Sequence, residues 1–399
     1  MSQTSTKSIY LAAFALWLGH FCVDVMIGFW PIYKTMMNLD LAIAGMISAG
    51  CAVAGEGLQL LFGALSDRGY RQRLIAVGIV LTTSSTLLAY TQDYRLLILL
   101  FFLTCLGSGA FHPSAAGLMG SISPHRKGFF ITLFASGGAL GLGLSQIIFS
   151  HSFYSLNGHT VLMAFPILAV GCWIYLMRMA DQKAVSSSKR KLFDLKTLKA
   201  FYQRADLSSL YISQVCNQSL VWGLIFLLPD VLNGRGYDSW ISLGGGHLFF
   251  ILGGAAMMVP AGYLADRYSS KQVIFAATII GFVLFYVFLY FPFLPSFMLL
   301  SLLFLLGAAL GIVNPVSVAL GNRLAADNPG LVSAFLMGMV WCVSEVIGQA
   351  GGGLLSKLFV DDAPAKALAI LGASFIVGIF AVRRLPEEKS SQAQQTETI

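Results

Sequence analysis

Charge is what this chain of 399 residues has least of: Asp, Glu, Lys and Arg make up 11% of it, against 57% hydrophobic residues. A soluble protein of this length covers itself with charge. The scarcity, with a mean hydropathy of +0.76, excludes a water-exposed globule and points to an integral membrane protein. Cysteine is scattered: all six, Cys22, Cys51, Cys105, Cys172, Cys216 and Cys342, lie in apolar stretches with no CxxC pair and no metal-ligand spacing. They read as free, buried packing residues, and neither a disulfide framework nor a metal site is expected. The patterns GxSxG, HExxH and GxxxxGK[ST] are also missing. With no nucleophile elbow, zinc-protease helix or nucleotide loop, the sequence gives no ground for an enzyme or a resident cofactor. Runs such as LLILLFFLTCLG and FVLFYVFLYF do not alternate apolar with polar, so the spans are helices and not barrel strands.

Apolar stretches near the roughly 20 residues that a helix needs to cross a bilayer fall at about 9–33, 41–65, 74–91, 95–121, 127–151 and 159–180, then at about 207–232, 239–264, 271–292, 297–325, 329–356 and 364–386. The expected fold is therefore an all-α membrane protein with twelve transmembrane helices in two six-helix halves, 1–180 and 207–386. A linker, 181–206, joins them, and a tail at 387–399, containing SSQAQQTETI, reads as disordered. The first span is too long for a signal-peptide core, holds Asp24 and lacks a small-residue cleavage site, so it is expected to be retained. Of the 25 Lys and Arg, 20 belong to the termini, the linker or the loops on their side, and only Lys34, Arg95, Arg235, Lys357 and Lys366 are expected in the opposite, outer loops. The positive-inside rule then puts both termini and the linker in the cytoplasm, and the net charge of +7 reflects topology, not nucleic-acid binding. In the linker, Leu192, Leu195, Leu198 and Phe201 recur every three residues among Lys189, Arg190, Lys191, Lys196 and Lys199. This suits an amphipathic helix on anionic lipid, with a solvated tether as the alternative.

One phrase occurs twice. GALSDRGYRQR at 63–73 is echoed by GYLADRYSSKQ at 262–272, each in the turn between the second and third helices of its half. Gly63, Leu65, Asp67 and Arg68 align with Gly262, Leu264, Asp266 and Arg267, Gly107 matches Gly307, and His112-Pro113 matches Asn314-Pro315. The halves are duplicated units, as in many secondary transporters. The repeated phrase resembles the loop signature of the major facilitator superfamily, G-x-L-x-D-R-x-G-R-x. That resemblance implies a cytoplasmic gate in which Asp67, Arg68, Arg71 and Arg73 make charge contacts with neighbouring helix ends. It departs from the signature at Tyr70, where the family prefers Gly. The second copy, Gly262, Asp266 and Arg267 with Lys271 as its clearest remaining cation, is thinner, so the gate is expected to be asymmetric.

LGHFCVDVMIGFWPIY (18–33), LGSGAFHPSAAG (106–117) and KGFFITLFASGGALG (127–141) resemble motifs of the fosmidomycin-resistance branch of that superfamily. The branch exports a small phosphonate antibiotic and is classed with proton-coupled drug antiporters; Val23 departs from its usual Asn. The resemblance implies a monomer in a bacterial cytoplasmic membrane that moves a small polar or anionic solute by alternating access, with protons as coupling ion. Uptake of an organic anion, or sensing without transport, stays open.

Ionisable groups in the middle of a span are costly there and become functional candidates. They are His20 and Asp24 in the first span, Glu56 with Gln59 in the second, His112 in the fourth, His247 in the eighth, and Glu345 with Gln349 in the eleventh. His20 and Asp24 share a helix face, as do Glu345 and Gln349. In the superfamily the first, fourth, seventh and tenth helices line the central cavity, which implies a polar lining of His20, Asp24, His112, Gln214, Asn217, Gln218 and Asn314. Asp24 is the expected proton carrier with His20 beside it; a permanent ion pair tying helices together is the alternative. Glu56 and Glu345 are next in line, each equally an interhelical hydrogen-bonding group. Pro113 either bends its helix to present His112 to the cavity or only shapes packing, and His247 reads as a packing histidine. Gly137, Gly138, Gly141 and Gly143 allow close helix approach. The fourth-helix arginine of many proton-coupled relatives is replaced by Leu103.

The charge asymmetry has a direct test. Single cysteines placed within 181–206 should be protected from impermeant thiol reagents in intact cells, and ready labelling there would reverse the orientation.

Overall fold

The computed structural model describes residues 6–122, 126–177, 202–325, 332 and 334–387, without the side chains of 6–8, 56, 60, 127, 128, 266 and 334. The linker helix expected at Lys189–Phe201, the tail, and the side chains of Glu56 and Asp266 lie outside the described residues. Every described element is helical, the arrangement a bilayer requires, because a helix satisfies its own backbone where no water is present.

Among the described residues, twelve helical spans follow in chain order. The first is α1 (Thr6–Ile27, continued as Phe29–Met36 beyond Gly28) and the second α2 (Leu41–Gly55, continued as Gln59–Leu65). Next come α3 (Arg71–Thr82, ending in the tighter turn Thr83–Tyr90), α4 (Tyr94–Ile122), α5 (Lys127–Ser155) and α6 (Thr160–Met163 and Ala164–Leu176). The second set is α7 (Ala205–Gly234), α8 (Ile241–Gly245 and Gly246–Arg267), α9 (Ser270–Tyr290) and α10 (Ser296–Leu324). It closes with α11, in four pieces from Ala334–Met339 through Val340–Glu345 and Val346–Gly351 to Gly352–Ser356, and α12 (Ala363–Leu371 and Ser374–Arg383). The expected twelve-helix plan is observed.

The chain folds as two compact units, Met1–Asn38 with Gly50–Phe193, and Leu39–Ala49 with Asp194–Ile399. In the first unit, α1 and α5 meet backbone to backbone: a Cβ on Gly137 would press on the Trp17 carbonyl and one on Gly141 on the Phe21 carbonyl. Gly78 of α3 and Gly107 of α4 face each other in the same way. Such approach gains dispersion energy where lipid removes the hydrophobic drive between helices. Aromatic packing closes one end of this unit, with Trp30 against Phe101 at 4.8 Å and Phe29 against Phe149 at 4.9 Å.

In the second unit the backbones of α8 and α10 meet closely, Gly253 against the Phe304 carbonyl and Gly307 against that of Phe250. Leu207, Leu210, Ile274, Leu320, Phe335 and Leu336, from α7, α9, α10 and α11, are buried in its core. The repeats have diverged. Gly107 and Gly307 correspond in sequence, yet Gly107 meets α3 while Gly307 meets α8.

Two expectations need correction. Cys22, Cys51 and Cys105 are buried, but Cys172 is exposed and Cys216 and Cys342 are partly so, because a place within an apolar span does not fix how far the neighbouring helices cover a side chain. Lys34, expected in an outer loop, is fully buried and donates to Thr35 Oγ1 at 2.9 Å, because α1 continues to Met36 and carries it into the packed end of the unit.

Gly141→Ala should cost on the order of 1–3 kcal/mol through overpacking and lower the melting temperature in detergent. Gly50→Ala, with nothing within 4 Å of its added Cβ, should be neutral or slightly stabilising. Equal effects would remove the helix contact as the cause.

Candidate functional site

Helix α1 presents His20 and Asp24 on one face, a turn apart, and α4 brings His112 to the same place. His20 Nε2 lies 3.4 Å from Asp24 Oδ2, and His112 Nε2 lies 3.2 Å from Asp24 Oδ1. The other nitrogen of each ring is committed elsewhere. His20 Nδ1 is 2.7 Å from the Phe134 carbonyl oxygen of α5, and His112 Nδ1 is 2.9 Å from the Ser108 carbonyl oxygen. A carbonyl can only accept, so both Nδ1 atoms carry hydrogen and a neutral ring turns a bare Nε2 lone pair toward the carboxylate. Lone pair facing lone pair is repulsive, so each contact calls for a proton or another cation between its two atoms.

The surroundings hold this geometry. Phe134 stacks on the His20 ring at a centroid distance of 4.0 Å, and the two imidazoles meet edge to face at 5.0 Å. Gly138 of α5 leaves the necessary room, since a Cβ there would strike His20 and Asp24 Oδ2. The side chains of His20, Asp24 and His112 are 10%, 19% and 22% exposed, so the cluster is enclosed but reachable. Helix α4 runs on through Pro113 without a break. Sequence spacing joins His20 to Asp24, and the family resemblance puts His112 in the same polar lining; that His112 touches the Asp24 carboxylate is visible only in the structure. Ser108, one turn before His112, was the available signal, along with the glycine at 138.

The second unit has its own polar groups. Gln214 of α7 donates from Nε2 to Asn314 Oδ1 of α10 at 2.7 Å, and Asn217 Nδ2 donates to the Leu310 carbonyl at 3.0 Å. Among the described residues, the side-chain oxygens of Gln214 and Asn217 are buried without a protein partner, and Gln218 is buried beside them on α7. On α11, Gln349 Nε2 donates to Glu345 Oε2 at 3.2 Å, as their spacing required, and Gln349 Oε1 accepts from Ser48 Oγ. Asp40 accepts from the Ile43 backbone N–H at 3.0 Å and lies 3.2 Å from Lys357 Nζ. The Ile43 N–H, with Lys357 adding to it, holds the Asp40 carboxyl below its ordinary value.

In the loop after α2, Gly69 has φ +95, a left-handed conformation that suits glycine and turns the chain into α3. Arg71 is buried: Nε donates to Ser66 Oγ at 3.1 Å, Nη2 lies 3.5 Å from Asp67 Oδ1, and its guanidinium packs over Gly117 of α4. Asp67 itself is largely exposed. Arg68 is exposed as well, and Arg73 lies 5.9 Å from the Tyr70 ring centroid. The position where the family prefers glycine thus holds an aromatic surface for a cation. In the second copy, Arg267 covers Tyr268 at 5.7 Å, Gly262 faces open space, and Lys271 reaches Glu387 at 3.9 Å.

The sequence matches the Major Facilitator Superfamily over residues 9–349 and 247–398, so the chain belongs to that family and is a multi-pass membrane protein. A benzoate transport protein of Acinetobacter baylyi is 25% identical over 293 residues, 63% of this chain; the chain spans 62% of that relative's length. Among solved structures, a bacterial homologue of the human lysosomal transporter Spinster, inward-facing and unoccupied, superposes with a TM-score of 0.78 at 12% identity, over 95% of this chain and 96% of that one. A mutant of the nucleoside transporter NupG gives 0.76 at 12% identity, over 94% and 99%. These likenesses concern the fold.

The packing of the loop separates its arginines. Arg71→Gln should lower stability by about 1–3 kcal/mol, since it leaves buried groups without their partner, whereas Arg68→Gln should stay within about 0.5 kcal/mol. Thermal unfolding of the two purified variants checks this, and equal losses would deny Arg71 its special place.

Proposed function

We propose that this protein is a secondary active transporter that exports a small polar or anionic organic compound from a bacterial cytoplasm in exchange for protons, working as a monomer with both termini inside. The observation that carries the reading is Asp24, a carboxylate within a span, flanked by His20 of its own helix and His112 of α4. A group so placed has a reason to exist in a hydrophobic layer only if it does something there. The duplicated halves suit alternating access, and Asp67 with Arg71 would serve as the cytoplasmic gate. Export is favoured by the resemblance of residues 18–33, 106–117 and 127–141 to the fosmidomycin-resistance branch. Gln214, Asn217, Gln218 and Asn314 offer polar contacts to the solute from the second unit. Glu345, hydrogen-bonded to Gln349, is the alternative proton carrier, and Glu56 follows it.

A second reading, uptake of an organic anion with protons, draws on the likeness to the benzoate transport protein. Fosmidomycin sensitivity of a host lacking the gene, with and without the gene restored, separates the two.

Asp24→Asn mimics a permanently protonated carboxyl. It should abolish pH-driven transport in proteoliposomes while substrate binding persists. If Asp24 is instead a structural tie, the variant should lose thermal stability and any residual transport should keep its proton dependence. Proton and substrate flux measured on the same reconstituted variant decide, and coupled flux at the wild-type ratio would remove Asp24 from the mechanism.

A further inference from the structure

The His20–Asp24–His112 cluster has a second capacity, independent of any transport reading. Its three donor atoms, one per residue, all lie within 4.8 Å of one another. Around a tetrahedral ion with bonds of about 2.1 Å, neighbouring ligand atoms are separated by about 3.4 Å. The carboxylate–imidazole separations, 3.4 Å from His20 Nε2 to Oδ2 and 3.2 Å from His112 Nε2 to Oδ1, are of that size but fall on different oxygens, so an ion would be held by both carboxylate oxygens, or by one after a modest closing of the set.

We propose that these three residues form a binding site for one divalent first-row transition-metal ion of the zinc, nickel or cobalt kind. The ligands are the Nε2 atoms of His20 and His112 and the carboxylate of Asp24. Two imidazoles and one carboxylate are the donor set such ions prefer, while magnesium and calcium favour oxygen alone. The supporting contacts are the ones a metal-binding histidine uses: the ring nitrogen that does not bind metal gives its hydrogen to a backbone carbonyl, fixing tautomer and ring orientation. Both rings do this, His20 through the Phe134 carbonyl and His112 through that of Ser108. Without a cation, two bare Nε2 lone pairs face one carboxylate; a single divalent ion satisfies both contacts at once. The ligands come from two helices, and α5 closes a third side through Phe134 and Gly138, so the ion would also tie α1 to α4. The partial exposure of the three side chains leaves a way in and an open position for water or a metal-bound solute.

The test uses the full-length chain, purified without an affinity tag and stripped with a chelator. Calorimetric titration with zinc or nickel chloride should show one ion per chain, and cobalt chloride should produce visible d–d absorption bands without a thiolate charge-transfer band. Loss of an outer-shell partner costs 10–100-fold in affinity at metal sites, so removing a ligand in His112→Gln or Asp24→Asn should weaken binding by at least about ten-fold. His247→Gln, which alters the buried histidine of the other unit, should bind as the wild type does. The proposal is overturned if the wild-type chain takes up no stoichiometric ion, or if both ligand variants bind undiminished. Should the variants fail to fold, the wild-type cobalt spectrum still decides: nitrogen and oxygen ligation supports the site, and sulfur ligation or no bands rejects it. No flux is read, so a chain that binds metal but moves no solute, or the reverse, tells this proposal apart from the transport reading.

Discussion

Asp24 sits between two imidazoles whose outer nitrogens are tied to main-chain carbonyls, and much of the first unit is shaped around that contact. A carboxylate in a hydrophobic layer needs positive charge beside it, and the charge must be held where the carboxylate is. Helix α1 supplies one partner by spacing alone. The other comes from α4, and α5 must come close enough for the Phe134 carbonyl to hold His20 without a side chain filling the space, which is why residue 138 is glycine. The cluster and the close α1–α5 crossing are one feature seen from two sides: the glycines at 137 and 141 allow the crossing, and Gly138 between them makes room for the charged group.

The second unit answers the same physical problem differently. At the position that corresponds to His112 it has Asn314, paired with Gln214, a neutral amide contact in place of an ionisable one. Its close helix crossing uses α8 and α10, with Gly307 turned to α8 where Gly107 turns to α3. The two copies share one architecture, and at the positions of His112 and Asn314 the first carries an imidazole facing a carboxylate where the second carries an amide facing an amide. The loop phrase follows the same course. Arg71 is packed against α4 and bonded to Ser66, while the second copy retains Arg267 stacked over Tyr268.

The twelve spans and the duplication were legible in the sequence because hydrocarbon imposes a length and a composition on any helix that crosses it, and because repeated motifs survive at matching positions. His20 with Asp24 and Glu345 with Gln349 were legible as well, since residues four apart on a helix must be neighbours. What the sequence could not determine is which helices meet. His112 lies far along the chain from Asp24, Ser48 from Gln349, and Lys357 from Asp40; each pair is decided by packing, where backbone approach at a glycine sets the distance. Lys34 and Cys172 show the same limit, because how far a helix runs, and which of its faces is covered, depends on neighbours that local sequence does not name.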